Sequence, residues 1–257
     1  MIDTHSHINT SEYKYDVVDI IERARENGIL GMVAVGVDIE TSMEAIRLSK
    51  EFSNIYPTAG IHPSELKNVD FKALEDILKD KRIIAVGECG IDLYWQKDNL
   101  VEQIKIFTAQ IELAVKYGLP LIIHTRNSFK ETYEVLLPYK GKVAGVFHCF
   151  SGTLEEAHQA INLGFYLGIG GVVTFKNAIE LKRIVKEIDI KYLLLETDCP
   201  YLAPMPYRGK RNEPSYLKYI IECIAQIKGV SIEEVDEITT YNAKKLFEIE
   251  VKKWKEY

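Results

Sequence analysis

Cysteine is scarce in this sequence, and the few cysteines do not form a recognisable motif. The four residues, Cys89, Cys149, Cys199 and Cys223, lie far apart and include no C-x-x-C pair. Disulfide-stabilised secreted domains need a denser set of cysteines than this. We therefore expect free thiols and a reducing compartment.

Long apolar runs are missing as well. The chain opens with Met1 to His5, without the basic region and apolar core of a leader peptide, and no apolar run is long enough to span a bilayer. These absences predict a cytoplasmic protein that has no membrane partner. The sequence also gives no sign of an obligate protein partner.

Linkers and a strong charge of one sign are absent too. The 257 residues contain no Pro/Gly/Ser-rich linker and no internal repeat, so residues 1–257 are predicted to form one domain. The net charge of −6 is not that of a protein that binds polyanions through a generally basic surface. Local charge differs, because Arg208, Lys210 and Arg211 place three cations in one short segment.

What the sequence does contain is a regular alternation of short apolar runs and longer amphipathic segments. The apolar runs, rich in β-branched residues, are predicted to be strands. They cover residues 2–5, 31–35, 55–60, 83–87, 120–124, 142–147, 165–170 and 192–196. Helical periodicity predicts helices at 17–26, 40–52, 71–79, 99–117, 128–136, 154–163, 179–187, 214–228 and 232–247.

Eight strands that each precede a helix, and that are too apolar to face water, predict an α/β fold. The pattern is that of a (β/α)₈ TIM barrel with a parallel eight-stranded barrel and an extra C-terminal helix. A doubly wound open sheet is the structural alternative. It is disfavoured because no G-x-G-x-x-G or P-loop follows any predicted strand.

Polar side chains close most of these strands. Five of the six histidines fall at strand ends, and His158 in a predicted helix is the exception. In a barrel these ends converge on one mouth, where the fold places its active site. The polar residues at the strand ends are His5, His7, His62, Glu88, His124, His148 and Asp198.

Imidazoles and carboxylates gathered at one mouth would be costly to desolvate without cations, so we predict a metal centre. Six ligands exceed what one tetrahedral or open catalytic site takes, so two divalent cations, about 3.5–4 Å apart, fit better. We assign His5, His7 and Asp198 to one ion and His124 and His148 to the other, with Glu88 bridging them. Asp198 would also orient or deprotonate the water, which makes Asp198 and Glu88 the candidate catalytic residues. Mg²⁺, Mn²⁺ and Zn²⁺ all suit such a set.

Three cysteines directly follow proposed ligands. If strand alternation continues there, Cys89, Cys149 and Cys199 point away from the mouth and are structural. A thiolate ligand would instead favour zinc. For Asp92, support of the Glu88 turn, contact with substrate and a solvated position are all open.

With this set of residues, the sequence resembles the TatD family of metal-dependent deoxyribonucleases, within the amidohydrolase-like barrels. The likeness covers nearly the whole chain and rests on seven motifs in order. They are D-T-H-S-H at 3–7, G-I-H-P at 60–63, G-E-C-G-I-D at 87–92, H-T-R at 124–126, H-C-F-S-G at 148–152, E-T-D-C-P-Y-L-A-P at 196–204 and R-G-K-R-N-E-P at 208–214. The resemblance implies a divalent-metal hydrolase acting on DNA, often as a 3′-to-5′ exonuclease. It also implies the same six metal ligands that the strand ends indicate.

The resemblance gives the basic segment a role in substrate binding. Arg208, Lys210 and Arg211 follow the Asp198 strand, where guanidinium groups can hold phosphates, although a solvated loop is the alternative. His62 can contact phosphate or a further ion, and Arg126 can orient substrate. Nearby aromatic residues either stack on an unpaired base or pack internally. They are Tyr94, Trp95, Phe150 and Tyr201.

The leading functional hypothesis is therefore hydrolysis of DNA phosphodiester bonds, with single-stranded DNA or 3′ ends as substrate. One alternative is another barrel hydrolase that cleaves a small amide, lactone or phosphotriester. A second alternative, of another class, is a binding protein that keeps the metals without turnover.

Overall fold

Eight parallel β-strands alternate with α-helices in the computed structural model, which describes residues 1–251 and residue 254. The strands are β1 (Ile2–Ser6), β2 (Gly31–Ala34), β3 (Ile55–Pro57), β4 (Val86–Asp92), β5 (Leu121–Arg126), β6 (Gly145–Phe147), β7 (Phe165–Ile169) and β8 (Leu193–Leu195). The helices are α1 (Val17–Glu26), α2 (Ile39–Glu51), α3 (Phe71–Leu78), α4 (Leu100–Tyr117), α5 (Phe129–Leu136), α6 (Leu154–Leu163), α7 (Ile179–Glu187), α8 (Leu217–Lys228) and α9 (Ile232–Phe247).

The strands close into a barrel. β1 to β3 pair in chain order and β4 to β8 pair in chain order, all in parallel. Single bridges join the two groups, one between Ala59 and Val86 and the other between Ser6 and Cys199. The predicted (β/α)₈ barrel is therefore confirmed, and the open sheet is excluded.

Alternation along the strands sorts the apolar side chains into two layers. Met32, Leu121 and Ile123 belong to the large core cluster that includes the helices, whereas Val33 and Ile122 belong to a second cluster. The second cluster combines residues of six strands with Leu246 and Phe247 of α9. It therefore fills the barrel interior, and the predicted extra C-terminal helix closes one end of it. No helix among the described residues has the length and apolar character needed to cross a membrane.

Local capping explains why many helix boundaries were predictable. α6 begins after Thr153, whose hydroxyl accepts a hydrogen bond from the Glu156 amide while the Glu156 side chain reaches back to the Thr153 amide. α4 and α6 end at Gly118 and Gly164, both in the left-handed conformation that glycine adopts without steric cost.

The predicted fourth strand, 83–87, is displaced from the observed β4, Val86–Asp92. Beyond Glu88 the chain continues to pair with β5, with Gly90 opposite His124 and Asp92 opposite Arg126. At Gly90 a Cβ atom would lie 2.0 Å from the His124 carbonyl oxygen, so only glycine permits this approach. Glu88 therefore lies within its strand and not after it.

Two buried glutamines of α4 hold the backbone at the mouth. Gln110 accepts a hydrogen bond from Ile61 N (2.7 Å) and donates one to Ile61 O (3.0 Å). Gln103 makes the same pair of bonds to the backbone of Asp92, at 2.7 and 3.1 Å. The two glutamines stand two helical turns apart on one face of α4. One helix thus fixes the segments that carry His62 and Asp92.

We expect Gln110→Leu to destabilise the protein, because the Ile61 amide and carbonyl would be left buried without partners. The cost is about 1–3 kcal/mol for each unsatisfied group. Urea unfolding followed by circular dichroism measures it, with Lys105→Leu on the exposed face of α4 as the control. Equal stabilities of the two variants would contradict this role of Gln110.

Candidate metal centre

The structure brings the six predicted metal ligands together at the carboxyl end of the barrel. They come from β1, β4 and β5 and from the residues that follow β1, β6 and β8. All of these side chains are buried except that of His124, which is half-buried. The predicted ligands are His5, His7, Glu88, His124, His148 and Asp198.

The Glu88 carboxylate lies at the centre of this group, and its two oxygens face different imidazoles. Oε1 lies 2.9 Å from His124 Nδ1 and 2.8 Å from His148 Nε2. Oε2 lies 3.4 Å from His5 Nε2 and 3.6 Å from His7 Nε2. One carboxylate therefore separates two sets of nitrogen donors.

Asp198 completes the set on the Oε2 side. Its Oδ1 lies 3.7 Å from His5 Nε2 and 3.5 Å from His7 Nε2. Asp198 has a φ of 55°, a left-handed conformation that is strained for a residue with a side chain. Its backbone is held by hydrogen bonds from Asp198 N to His5 O and from Tyr201 N to Asp198 O. The neighbouring loops thus fix the carboxylate in place.

These donors fit divalent cations. His5 Nε2 and His7 Nε2 lie 3.1 Å apart, so a proton or a cation is needed to offset the repulsion of their lone pairs. Burial lowers the pKa of His5 to about 4, which leaves this imidazole neutral and able to act as a ligand at neutral pH. Imidazole and carboxylate donors together suit Zn²⁺, Mn²⁺ and Fe²⁺.

The charges at the centre are strongly coupled. Burial by itself would raise the pKa of Glu88, but the attraction of the neighbouring imidazoles, above all His148, outweighs it and holds this pKa well below its usual value. Burial would likewise lower the pKa of His148, and the Glu88 carboxylate instead raises it to about 10. Without a cation, therefore, a proton on His148 neutralises Glu88, and cation binding must displace that proton.

His62, predicted to bind substrate, lies among the metal donors. Its Nε2 is 3.6 Å from Glu88 Oε1, and its ring centroid is 4.3 Å from that of His124. His62, Glu88 and His124 form one of the groups whose donor atoms all lie within 4.8 Å of one another. Burial lowers the pKa of His62 to about 3, so this imidazole is neutral at neutral pH, and its Nδ1 accepts a hydrogen bond from the Ser64 amide at 3.1 Å.

Asp92 supports His124. Its Oδ2 lies 3.0 Å from His124 Nε2, on the side of the ring opposite Glu88. Its Oδ1 accepts hydrogen bonds from the amides of Tyr94 and Trp95, each at 2.8 Å. Of the three possibilities left open for Asp92, the solvated position is wrong, because the side chain is buried. Its contact with His124 was not predicted, and a carboxylate behind an imidazole fixes the ring orientation.

The structural interpretation of the cysteines holds for Cys89 and Cys199, which are fully buried, but not for Cys149. The Sγ atom of Cys149 and donor atoms of His148 and Asp198 lie within 4.8 Å of one another. Strand alternation does not extend to this residue, because β6 ends at Phe147 and Cys149 has a φ of 43°. Burial raises the pKa of the Cys149 thiol well above its usual value, so the thiol is protonated.

Two buried carboxylates were not predicted as site residues. Glu196 accepts a hydrogen bond from the Cys149 amide, and its Oε1 lies 3.8 Å from His148 Nδ1. Gly168 makes room for it, because a Cβ there would lie 2.2 Å from Glu196 Oε2. Asp3 accepts hydrogen bonds from Thr197 N and Thr197 Oγ1 and so ties β1 to the Asp198 loop. For Glu196 the signal was a carboxylate at the end of an apolar run, whereas Asp3 lies in a largely polar strand that gives no such contrast.

The predicted substrate-binding cations lie in different surroundings. Arg126 ends β5 and stacks on Tyr94, with its Cζ 4.2 Å from the ring centroid. Arg208 lies over the Phe175 ring at 4.4 Å, and Lys210 lies over Tyr207 at 5.7 Å.

Arg211 is more constrained than these three. It is ion-paired with Asp16 and donates a hydrogen bond to Glu12 O at 2.8 Å. Its guanidinium group is therefore already engaged by groups of this chain.

A cavity of about 250 Å³ opens beside the metal donors. His124, His148 and Asp198 contribute to one side of it, and Arg126 and Leu202 also line it. This volume is below the roughly 300–1,000 Å³ of pockets that enclose a whole drug-sized ligand. It has room for the reacting group of a substrate, while the rest of a longer molecule must lie on the rim.

Comparison with known proteins identifies the family to which this metal centre belongs. A family model described as TatD related DNase matches residues 2–248. The chain is 41% identical over 253 residues to the metal-dependent hydrolase YabD of Bacillus subtilis, covering 97% of this chain and 99% of that protein. It is 32% identical over 260 residues to a protein of Klebsiella pneumoniae named 3′-5′ ssDNA/RNA exonuclease TatD, covering 98% of this chain and 99% of the relative.

The fold has a close counterpart among solved structures. The crystal structure of YjjV, a TatD homologue of Escherichia coli, superposes with a TM-score of 0.91 at 24% identity and covers 97% of this chain and 98% of the other. The barrel, the motifs and the family model agree over nearly the whole chain. This protein belongs to the TatD-related DNase family of metal-dependent hydrolases.

Proposed function

We propose that this protein holds two divalent cations and hydrolyses phosphodiester bonds of DNA, removing nucleotides from the 3′ end of a single strand. One observation carries the proposal: the two oxygens of Glu88 face two separate sets of donors. Oε2 would serve one cation together with His5, His7 and Asp198. Oε1 would serve the other together with His124 and His148.

When bound, the two cations supply Lewis-acid polarisation of the phosphate and a lowered pKa for water. The chain's own residues position the reacting groups. Asp198 lines the cavity, and the hydrogen bond from His7 helps to hold its pKa below the usual value despite burial. It is therefore ionised at neutral pH and placed to orient a water molecule and accept its proton.

Basic side chains near the cavity favour a polyanionic substrate. Arg126 reaches the cavity, and Arg208 and Lys210 lie exposed in the segment that follows the Asp198 loop. Guanidinium and ammonium groups at a hydrolytic site are suited to bind phosphates on either side of the bond that breaks. The name of the Klebsiella pneumoniae relative supports a single-stranded substrate and 3′-to-5′ polarity. We treat residues 1–257 as one cytoplasmic catalytic domain.

A hydrolase for small amides, lactones or phosphotriesters is the second candidate, because the same metal donors would activate water for those bonds. The exposed cations favour DNA, since a small neutral substrate has no use for them. A binding protein without turnover is the third candidate. The ionised Asp198 beside the cavity argues against it.

We expect the purified protein, with Mn²⁺ or Mg²⁺, to release nucleotides from single-stranded DNA labelled at its 5′ end. Asp198→Ala should lower the rate by about 100-fold or more, because it removes a proton acceptor worth roughly 10²–10⁴ in rate. Asp76→Ala, at an exposed position of α3, is the control. Turnover of a panel of small esters and amides without DNA cleavage would contradict the nuclease assignment.

Cation binding should stabilise the folded protein, because the donors converge only in the folded state. At a Mn²⁺ concentration of 100 times Kd, the gain is about 2.7 kcal/mol for each site. Thermal unfolding with and without Mn²⁺ measures it. Glu88→Gln should lose most of the gain, whereas Glu102→Gln, at an exposed position of α4, should keep it. A gain that is the same in both variants would exclude Glu88 as a ligand.

Salt dependence should distinguish the three basic residues of the segment after Asp198. We expect Arg208→Ala and Lys210→Ala each to reduce the slope of log K against log salt for single-stranded DNA by about 0.7. Arg211→Ala should change it less, because Asp16 already pairs with this guanidinium group. Fluorescence anisotropy of a labelled oligonucleotide in EDTA measures the slopes. An unchanged slope in all three variants would remove this segment from the DNA contact.

A further inference from the structure

Trp95 is a large apolar side chain that the fold leaves in solvent beside the metal centre. The residue is 68% exposed. A single exposed apolar side chain is common, but Trp95 adjoins Tyr94, which is 44% exposed, and contiguous exposed apolar surface is a candidate contact site. Contacts with neighbouring residues fix both the backbone and the indole ring of Trp95.

The segment that carries Trp95 is tied down at several points. Asp92 Oδ1 accepts hydrogen bonds from Tyr94 N and Trp95 N. Gln103 Nε2 donates to Gln96 O and to Asn99 Oδ1, both at 2.7 Å. The backbone on both sides of Trp95 is thus anchored to β4 and α4.

The indole is also oriented by its neighbours. The Tyr94 ring meets it edge to face, with centroids 4.7 Å apart. The Arg126 guanidinium lies 5.5 Å from the Trp95 ring centroid and 4.2 Å from that of Tyr94. A cation beside an aromatic ring is stabilised by the ring quadrupole, which favours this arrangement. Tyr94, Trp95 and Arg126 together are called the aromatic–arginine cluster below.

The cluster borders the metal donors. Asp92 binds the Trp95 amide with one oxygen and His124 with the other. Arg126 belongs to the cluster and also lines the cavity next to His124. A substrate whose reacting phosphate enters the cavity therefore has its neighbouring nucleotide within reach of the indole.

We propose that the aromatic–arginine cluster is a binding site for one unpaired nucleobase, which stacks on the Trp95 indole while Arg126 holds the adjacent phosphate. This inference rests on the proposed nuclease function and specifies its substrate. Bases in a duplex are already stacked on both faces, so only an unpaired base can use the site. The cluster thereby selects single strands. Phe150 is buried and cannot take this role.

The first test compares Trp95→Ala with the wild-type enzyme on two substrates. For a single-stranded oligothymidylate, KM should rise about 10-fold, within the range that removal of one stacking aromatic produces. For the same strand with abasic residues in place of its 3′-terminal nucleotides, the two enzymes should have similar KM values. Trp95→Phe should restore most of the affinity. Tyr241→Ala, which truncates an aromatic side chain of α9 that is 64% exposed, is the control.

The second test reports binding without turnover. The chain has two tryptophans, so Trp254→Phe leaves Trp95 as the single indole. In EDTA, oligothymidylate should quench its fluorescence, whereas the abasic strand and a blunt duplex of equal length should not.

The outcomes separate the inference from the function on which it rests. An unchanged KM in Trp95→Ala, or binding of oligothymidylate without quenching, overturns the base site while DNA hydrolysis stands. Quenching by oligothymidylate in a protein that hydrolyses no DNA supports the base site and overturns the nuclease assignment. Equal quenching by duplex and single strand overturns the selection of unpaired bases.

Discussion

The structure depends on one buried carboxylate surrounded by imidazoles. Glu88 faces His124 and His148 with one oxygen and His5 and His7 with the other. A single ionised carboxylate at this depth is costly unless cations compensate it. Despite burial, the neighbouring imidazoles, above all His148, hold the pKa of Glu88 down in the absence of metal, and a divalent cation takes the place of the proton on His148 when it binds. The centre is thus built for positive charge.

A closed barrel is the arrangement that lets these side chains meet. They come from strands that are distant along the sequence, and parallel strands that close into a cylinder place all their carboxyl ends around one mouth. The groups behind the donors are equally specific. Asp92 orients His124, Gln110 fixes the backbone before His62, and Asp3 ties β1 to the loop of Asp198. The strained backbone of Asp198 is held by its hydrogen bonds to His5 and Tyr201 and by the bonds from Thr197 to Asp3.

The sequence predicted the barrel, because the period of the apolar residues reveals the alternating strands and helices. The structure brings together the six residues proposed as ligands, because they lie at strand ends that meet at one mouth. α1 and α6 match their predicted bounds, since their apolar periodicity and the capping box of α6 are local features. β4 was misplaced because its extension past Glu88 needs a glycine opposite the His124 carbonyl, and that long-range contact leaves no periodic signal. Cys149 was misjudged for a related reason, because its positive φ ends the alternation. Gln103, Gln110 and Glu196 act through tertiary contacts that spacing does not reveal.

The central claim is that Glu88 bridges two cations. Anomalous diffraction at the manganese edge, from crystals grown with Mn²⁺, tests it most directly. The account predicts two peaks, one among His5, His7, Asp198 and Glu88 Oε2, and one among His124, His148 and Glu88 Oε1. A single peak, or peaks that do not contact Glu88, would contradict it.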